Sequence, residues 1–142
     1  MGCDIHVHSE VKINGVWHHV GAPCIGRDYS LFSKMAGVRS YDPKEEPIVE
    51  PRGIPNDATF LTLFDYERMK GDAHTPSWLN GEEIGRLDEW FRKLWNGRNP
   101  NGFFYIEHEF GYLFSNGWNV KKYPSDAPVG VEDARWIFWF DN

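Results

Sequence analysis

The segment Cys3-Asp4-Ile5-His6-Val7-His8-Ser9-Glu10 places groups able to do chemistry at every second position. In a β-strand, alternate side chains point to opposite faces. Asp4, His6, His8 and Glu10 then share one face, and Cys3, Ile5, Val7 and Val11 share the other. A row of imidazoles and carboxylates can hold a divalent ion or move protons. Two imidazoles two residues apart on a strand project side by side. Asp4, His6 and His8 are therefore the expected ligands of a Zn, Mn or Mg ion, and Glu10 is an expected general base. The competing reading of the same row is a solvated polar sheet face on which His packs against Trp17.

A second group is Asp72-Ala73-His74. His74 is an expected ligand or general acid–base, with Asp72 as its orienting partner or as the base itself. The local alternative is a turn in which His74 or Thr75 makes a hydrogen bond. Arg27, Arg39 and Arg52 each stand beside a turn or helix end, and guanidinium groups bind phosphate through paired hydrogen bonds. Tyr29 and Trp78 are the expected stacking surfaces for a base. Against this stands the ordinary reading of solvated Arg and core aromatics. Ser77 lacks the Gly-x-Ser-x-Gly setting of a nucleophile, and no phosphate loop or dinucleotide fingerprint occurs. His108, between Glu107 and Glu109, reads as a surface or edge residue.

These groups need elements to hold them. Asn14-Gly15 between β-branched residues is a strong two-residue hairpin signal. It pairs Ile13 with Val16, Lys12 with Trp17 and Glu10 with His19. Cross-strand partners share a face, so Trp17 and His19 join the polar row, and Val7, Val11 and His18 face the core. Residues 28–36 read as a helix capped by Asp28, with Leu31, Phe32, Met35 and Ala36 in one stripe. Residues 39–58, with Pro43, Pro47, Pro51 and Pro55, read as a long loop in which Pro51-Arg52-Gly53-Ile54-Pro55 displays Arg52. A helix follows over 57–70 with Phe60, Leu61, Phe64 and Tyr66 inward, and it breaks at Gly71. Residues 72–79 read as a connector. Asn80 caps a third helix that has Glu82 and Glu83 in its first turn and Ile84, Leu87, Phe91, Leu94 and Trp95 inward, ending at 96–97. Strands are expected over 103–108, around Asn116-Gly117 and over 135–141. The sum is one α+β domain over residues 1–142. In it an N-terminal β-hairpin and C-terminal strands form a mostly antiparallel sheet packed with about three helices.

Composition bounds the function. The chain has 142 residues, 41% of them hydrophobic, and a net charge of −6. That is enough apolar residue for a core, and the acidic balance disfavours a large nucleic acid as partner. A small phosphorylated ligand held by a few Arg remains compatible. The two cysteines suit a reducing cytoplasm rather than a disulfide scaffold. No apolar run reaches membrane-spanning length, so no membrane partner is expected. Nothing in the motifs calls for an organic cofactor.

Asp4-Ile5-His6-Val7-His8 resembles the D-x-H-x-H opening of the polymerase-and-histidinol-phosphatase metal phosphoesterases, in which the two His ligate metal. A longer resemblance starts at Met1-Gly2-Cys3-Asp4-Ile5-His6. It continues through Gly26-Arg27-Asp28-Tyr29-Ser30-Leu31-Phe32, Pro51-Arg52-Gly53-Ile54-Pro55 and His74-Thr75-Pro76-Ser77-Trp78-Leu79. It ends at Arg135-Trp136-Ile137-Phe138-Trp139-Phe140-Asp141-Asn142. Together these are similar to a group of small proteins of phages, bacteria and some giant viruses. That resemblance implies that Asp4, His6, Arg27, Arg52, His74 and Arg135 belong to one site. A phage context adds the expectation of a role against host nucleotide immune signals.

The leading expectation is a metal-assisted hydrolase of a small phosphorylated, nucleotide-like molecule. The metal would activate water, and Arg27, Arg52 and Arg135, with Tyr29 and Trp78, would hold the substrate. The alternative is a protein that sequesters a nucleotide signal without turnover. A third reading is an interaction module whose Trp-rich C-terminal strand docks a partner, including a second copy of itself by edge pairing.

Overall fold

The computed structural model describes residues 1–94 and 131–142. Strand β1 (Asp4–Ile13) turns at Asn14-Gly15 into β2 (Val16–Gly21). Both turn residues have positive φ, 50° and 76°, as the right-handed twist of a two-residue hairpin demands. The register pairs Ile13 with Val16, Lys12 with Trp17 and Glu10 with His19, as the Asn-Gly signal predicts.

Helix α1 (Tyr29–Ala36) starts where Asp28 Oδ1 accepts from the Leu31 amide at 3.1 Å, and it stops at left-handed Gly37. A long segment then leads to α2 (Phe60–Met69), β3 (Ala73–Asn80) and α3 (Gly81–Leu94). The start of α3 is a reciprocal cap. Asn80 Oδ1 accepts from the Glu83 amide, and Glu83 Oε1 accepts from the Asn80 amide, at 2.9 and 2.8 Å. Strand β4 (Val131–Asp141) completes an antiparallel four-stranded sheet of order β2-β1-β4-β3. The architecture is α+β, with the chain's N-terminal and C-terminal strands adjacent at the centre of the sheet.

The central place of β4 explains its composition. Trp136 to Phe140 is apolar on both alternations because both faces of the strand are covered. On one face, Ile5, Val7, Leu79, Trp136, Phe138 and Phe140 meet Leu31, Phe32 and Met35 of α1 and Ile84, Leu87 and Phe91 of α3. The other face carries His6, His8, Glu10, Arg135 and Trp139 and meets side chains of α2.

Several elements depart from the sequence expectation. Residues 72–79 are not a connector, since Ala73–Asn80 forms edge strand β3. Pro76 is tolerated there because the register breaks between His74 and Ser77, and Thr75 has φ 51°. The Pro76 carbonyl instead accepts from the Gly53 amide at 2.9 Å, which docks the Pro-rich loop on this strand. His18 is exposed rather than in the core, because β2 is the other edge strand and its outward residues have no layer above them. Leu94 is half-exposed, not inward. Trp95, the expected strands over 103–108 and around 116–117, and His108 lie outside the described residues.

The largest correction concerns α2. The apolar spacing points Phe60, Leu61 and Phe64 inward, but they are 75%, 53% and 58% exposed. Thr62, Asp65 and Tyr66 take the inward positions. The sheet face below them is built of Glu10, His8 and Trp139, and buried polar groups there require hydrogen-bond partners. That requirement decides which way the helix is turned. Among the described residues no helix is long and apolar enough to cross a membrane.

Urea unfolding should separate the two sides of this packing. Phe138→Ala is expected to cost about 3–5 kcal/mol. Phe64→Ser is expected to change stability by no more than about 0.5 kcal/mol.

Candidate functional site

The polar sheet face divides into two linked clusters. The inner one is built on Glu10 and Arg135, cross-strand partners on β1 and β4 that are 0% and 3% exposed. Arg135 Nε and Nη2 donate to Glu10 Oε1 at 2.9 and 2.7 Å. The other carboxylate oxygen accepts from the Thr59 amide, the Thr59 hydroxyl and the Thr62 hydroxyl at 2.9, 2.6 and 2.7 Å. Arg135 Nη1 donates to Asp57 at 2.8 Å, and the Trp17 ring lies over the guanidinium at 3.8 Å. Burial alone would raise the Glu10 pKa, but Thr59, Thr62 and Arg135 outweigh it and hold the carboxyl below its usual value of 4.5. Both Glu10 oxygens and all three Arg135 guanidinium nitrogens are held by protein partners. Glu10, an expected base, and Arg135, an expected phosphate ligand, are thus buried against each other.

The outer cluster is histidine-based. His6 Nε2 lies 2.7 Å from Asp141 Oδ2, and His8 Nε2 lies 2.7 Å from Asp65 Oδ2. His8 Nδ1 is 2.9 Å from His19 Nε2. The His6 and His8 rings both stack on Trp139, with centroids 6.0 and 5.3 Å away, and Tyr66 meets the same indole edge-on at 5.2 Å. Asp65 also accepts from Arg68 at 2.6 Å. Burial would raise the Asp65 pKa, yet the bonds from Arg68 and His8 bring it below the ordinary Asp range. Burial pushes the His19 pKa down, and neighbouring His8 adds to the effect.

At the start of β1, Arg27 Nε and Nη2 donate to Asp4 Oδ1 and Oδ2 at 2.7 and 3.1 Å. The Arg27 hydrogen bonds hold the Asp4 carboxyl below the usual Asp range. Gly2 backs this pair, because a Cβ there would meet Arg27 Nη1 at 2.0 Å. Asp4 pairs with Asp141 across the strands, so the Asp4–Arg27 and His6–Asp141 pairs adjoin. The three expected metal ligands thus have separate partners: Arg27 for Asp4, Asp141 for His6, and Asp65 with His19 for His8. Among the described residues no group of three or more His, Cys, Asp or Glu side chains is arranged to hold a metal.

The remaining expected site residues lie elsewhere. His74 pairs with Phe140, whose ring is in the core, so it sits on the face opposite His6. Its nitrogens meet Thr75 Oγ1 at 3.0 Å and Asn142 Oδ1 at 2.8 Å. Asp72 is not its partner and stands exposed in the turn after α2. Arg52 donates to Glu83 and to the Trp78 carbonyl, and its guanidinium lies 3.5 Å from the centre of the Trp78 ring. Tyr29 accepts from the Cys3 amide at 3.1 Å and carries Arg39 over its ring. Both expected stacking surfaces therefore already hold a guanidinium. Of the residues the resemblance implies in one site, the structure brings together Asp4, His6 and Arg27. Arg135 lies six positions from Asp141 along β4, about 20 Å away.

Asp65, Asp141, Trp139 and Tyr66 were not among the expected site residues. A signal for the α2 members exists in Thr59, Thr62, Asp65 and Tyr66, which are polar or amphipathic residues at helical spacing. Asp141 and Trp139 became site residues only through the β1–β4 register. Comparison with protein-family models, with curated proteins and with solved structures finds no match.

Glu10→Ala is expected to destabilise the fold by about 3–5 kcal/mol, because Arg135 is left buried without its main partner. The Glu10 pKa is depressed in the folded state, so its contribution is present above pH 4.5 and is lost as pH falls through the lower folded value. Denaturant titrations should therefore show stability falling below about pH 4.5, with a shallower fall in Glu10→Gln.

Proposed function

We propose that this protein hydrolyses a small phosphorylated, nucleotide-like molecule by histidine acid–base chemistry. The observation that carries this reading is the pair of His–carboxylate contacts, His6–Asp141 and His8–Asp65, set against one buried indole. A carboxylate on one ring nitrogen orients the imidazole and selects its tautomer, leaving the other nitrogen to work. His6 is the more accessible of the two, with about a third of its side chain exposed.

Arg27 supports the phosphoryl class of substrate. More than half of its side chain is exposed, and it is carried beside His6 at the end of β1. A guanidinium there can bind phosphate oxygens and neutralise charge as water attacks phosphorus. In this reading His6 gives the leaving oxygen its proton. The paired state of Asp4 makes it the residue that holds Arg27 in place. Both cysteines are free, in keeping with a reducing cytoplasm as the place of action.

The purified protein should convert members of a panel of linear and cyclic nucleotides to products with a phosphoester bond broken. His6→Gln, with unchanged circular dichroism, is expected to lower turnover by roughly 10² or more. Wild-type rates in that variant would remove His6 from the reaction. Chelation is expected to leave turnover in place. A loss restored by Zn, Mn or Mg would return the ion to the mechanism. Recovery of intact nucleotide from heat-denatured protein, with no product, would establish sequestration instead.

A further inference from the structure

We propose that Asp65, His8 and His19 form a proton relay whose outer end, Nδ1 of His19, is the proton acceptor of the site. Its role toward water rests on the hydrolase reading above, whereas the relay itself rests on hydrogen-bond geometry.

The argument begins at α2. Asp65 accepts from Arg68 on one carboxylate oxygen and faces His8 Nε2 with the other, at 2.6 and 2.7 Å. An ionised carboxylate only accepts, so the proton between them belongs to His8 Nε2. In a neutral imidazole the opposite nitrogen is then bare. His8 Nδ1 lies 2.9 Å from His19 Nε2, and two facing ring nitrogens bond only when one carries hydrogen. With His8 neutral, His19 Nε2 donates. The consequence is a bare Nδ1 on His19, with no hydrogen-bond partner among the described residues.

Burial divides the labour. His8 is 6% exposed and shielded by Trp139, so it transmits rather than exchanges protons with solvent. His19 lies half-buried on edge strand β2, where a ligand can reach it. The titratable groups facing it are Glu10 and His8, both from β1. Burial and His8 lower its pKa, and Glu10 opposes them, so the ring is kept in the basic form.

The proton balance is simple. A water activated at His19 gives a proton to Nδ1 and keeps the bonding electron pair. His19 passes its Nε2 proton to His8 Nδ1, and the His8 imidazolium rests on Asp65. His19 is then the base toward water, and His8 and Asp65 are positioning residues.

Imidazole nitrogen NMR of the labelled full chain tests the relay without any substrate. Protons on Nε2 of both His8 and His19, with both Nδ1 atoms bare, are expected. A proton on His19 Nδ1 would overturn the relay. In Asp65→Asn the amide can donate to His8 Nε2, which should move the His8 proton to Nδ1 and the His19 proton to Nδ1 in turn. An unchanged His19 tautomer in that folded variant also overturns it, and the wild-type spectrum decides alone if the variant does not fold. The expected tautomers in a protein that cleaves no phosphoester would uphold the relay and defeat the hydrolase reading. Where turnover is found, Asp65→Asn should lower kcat with little change in KM.

Discussion

Glu10 and Arg135 place opposite charges in the interior, and their neighbours are arranged around the need to satisfy them. A buried ion pair loses hydration on both sides, and attraction alone does not recover it. Every remaining donor and acceptor must find a partner. Glu10 therefore draws in the Thr59 amide and two threonine hydroxyls, while Arg135 takes Asp57 and the face of Trp17. One constraint thus joins the hairpin, the last strand, the end of the Pro-rich loop and the start of α2. The carboxylate also sits at the N-terminal end of α2, where the helix dipole favours negative charge.

Anchoring α2 in this way has consequences for the histidines. With Thr59 and Thr62 pinned to Glu10, the next inward turn presents Asp65 to His8 and Tyr66 to Trp139. The His–carboxylate contact is therefore a downstream result of the ion pair. The same rotation turns Phe60, Leu61 and Phe64 to the outside, where Phe60 and Phe64 rings lie 5.9 Å apart. A helix that satisfied its apolar residues would have taken the Thr62 hydroxyl from Glu10 Oε2 and Asp65 from His8 Nε2. The cost of unmet buried polar groups exceeds the gain from covering exposed apolar side chains.

The local features were legible because their physics is local. Asn14-Gly15 can adopt the positive φ values of the turn whatever surrounds it, and the strand register follows. Asp28 and the Asn80–Glu83 pair cap their helices through bonds made within a few residues. Alternation in β1 correctly separated Ile5, Val7 and Val11 from the polar row. Residues 73–80 were harder, because Pro76 argues against a strand unless the strand lies at an edge, and edge position is a property of the whole sheet.

Residue order alone specifies the hairpin, the capped helices, the α+β class and a strand face bearing Asp4, His6, His8 and Glu10. These follow from side-chain period and backbone preference over short spans. Long-range packing assigns each of those four residues its partner. The β1–β4 pairing gave His6 to Asp141 and Glu10 to Arg135, and the rotation of α2 gave His8 to Asp65. The same pairing put His74 on the opposite face, beside Phe140. Chemical role depends on partner and burial, and both are settled by contacts between residues up to 135 positions apart.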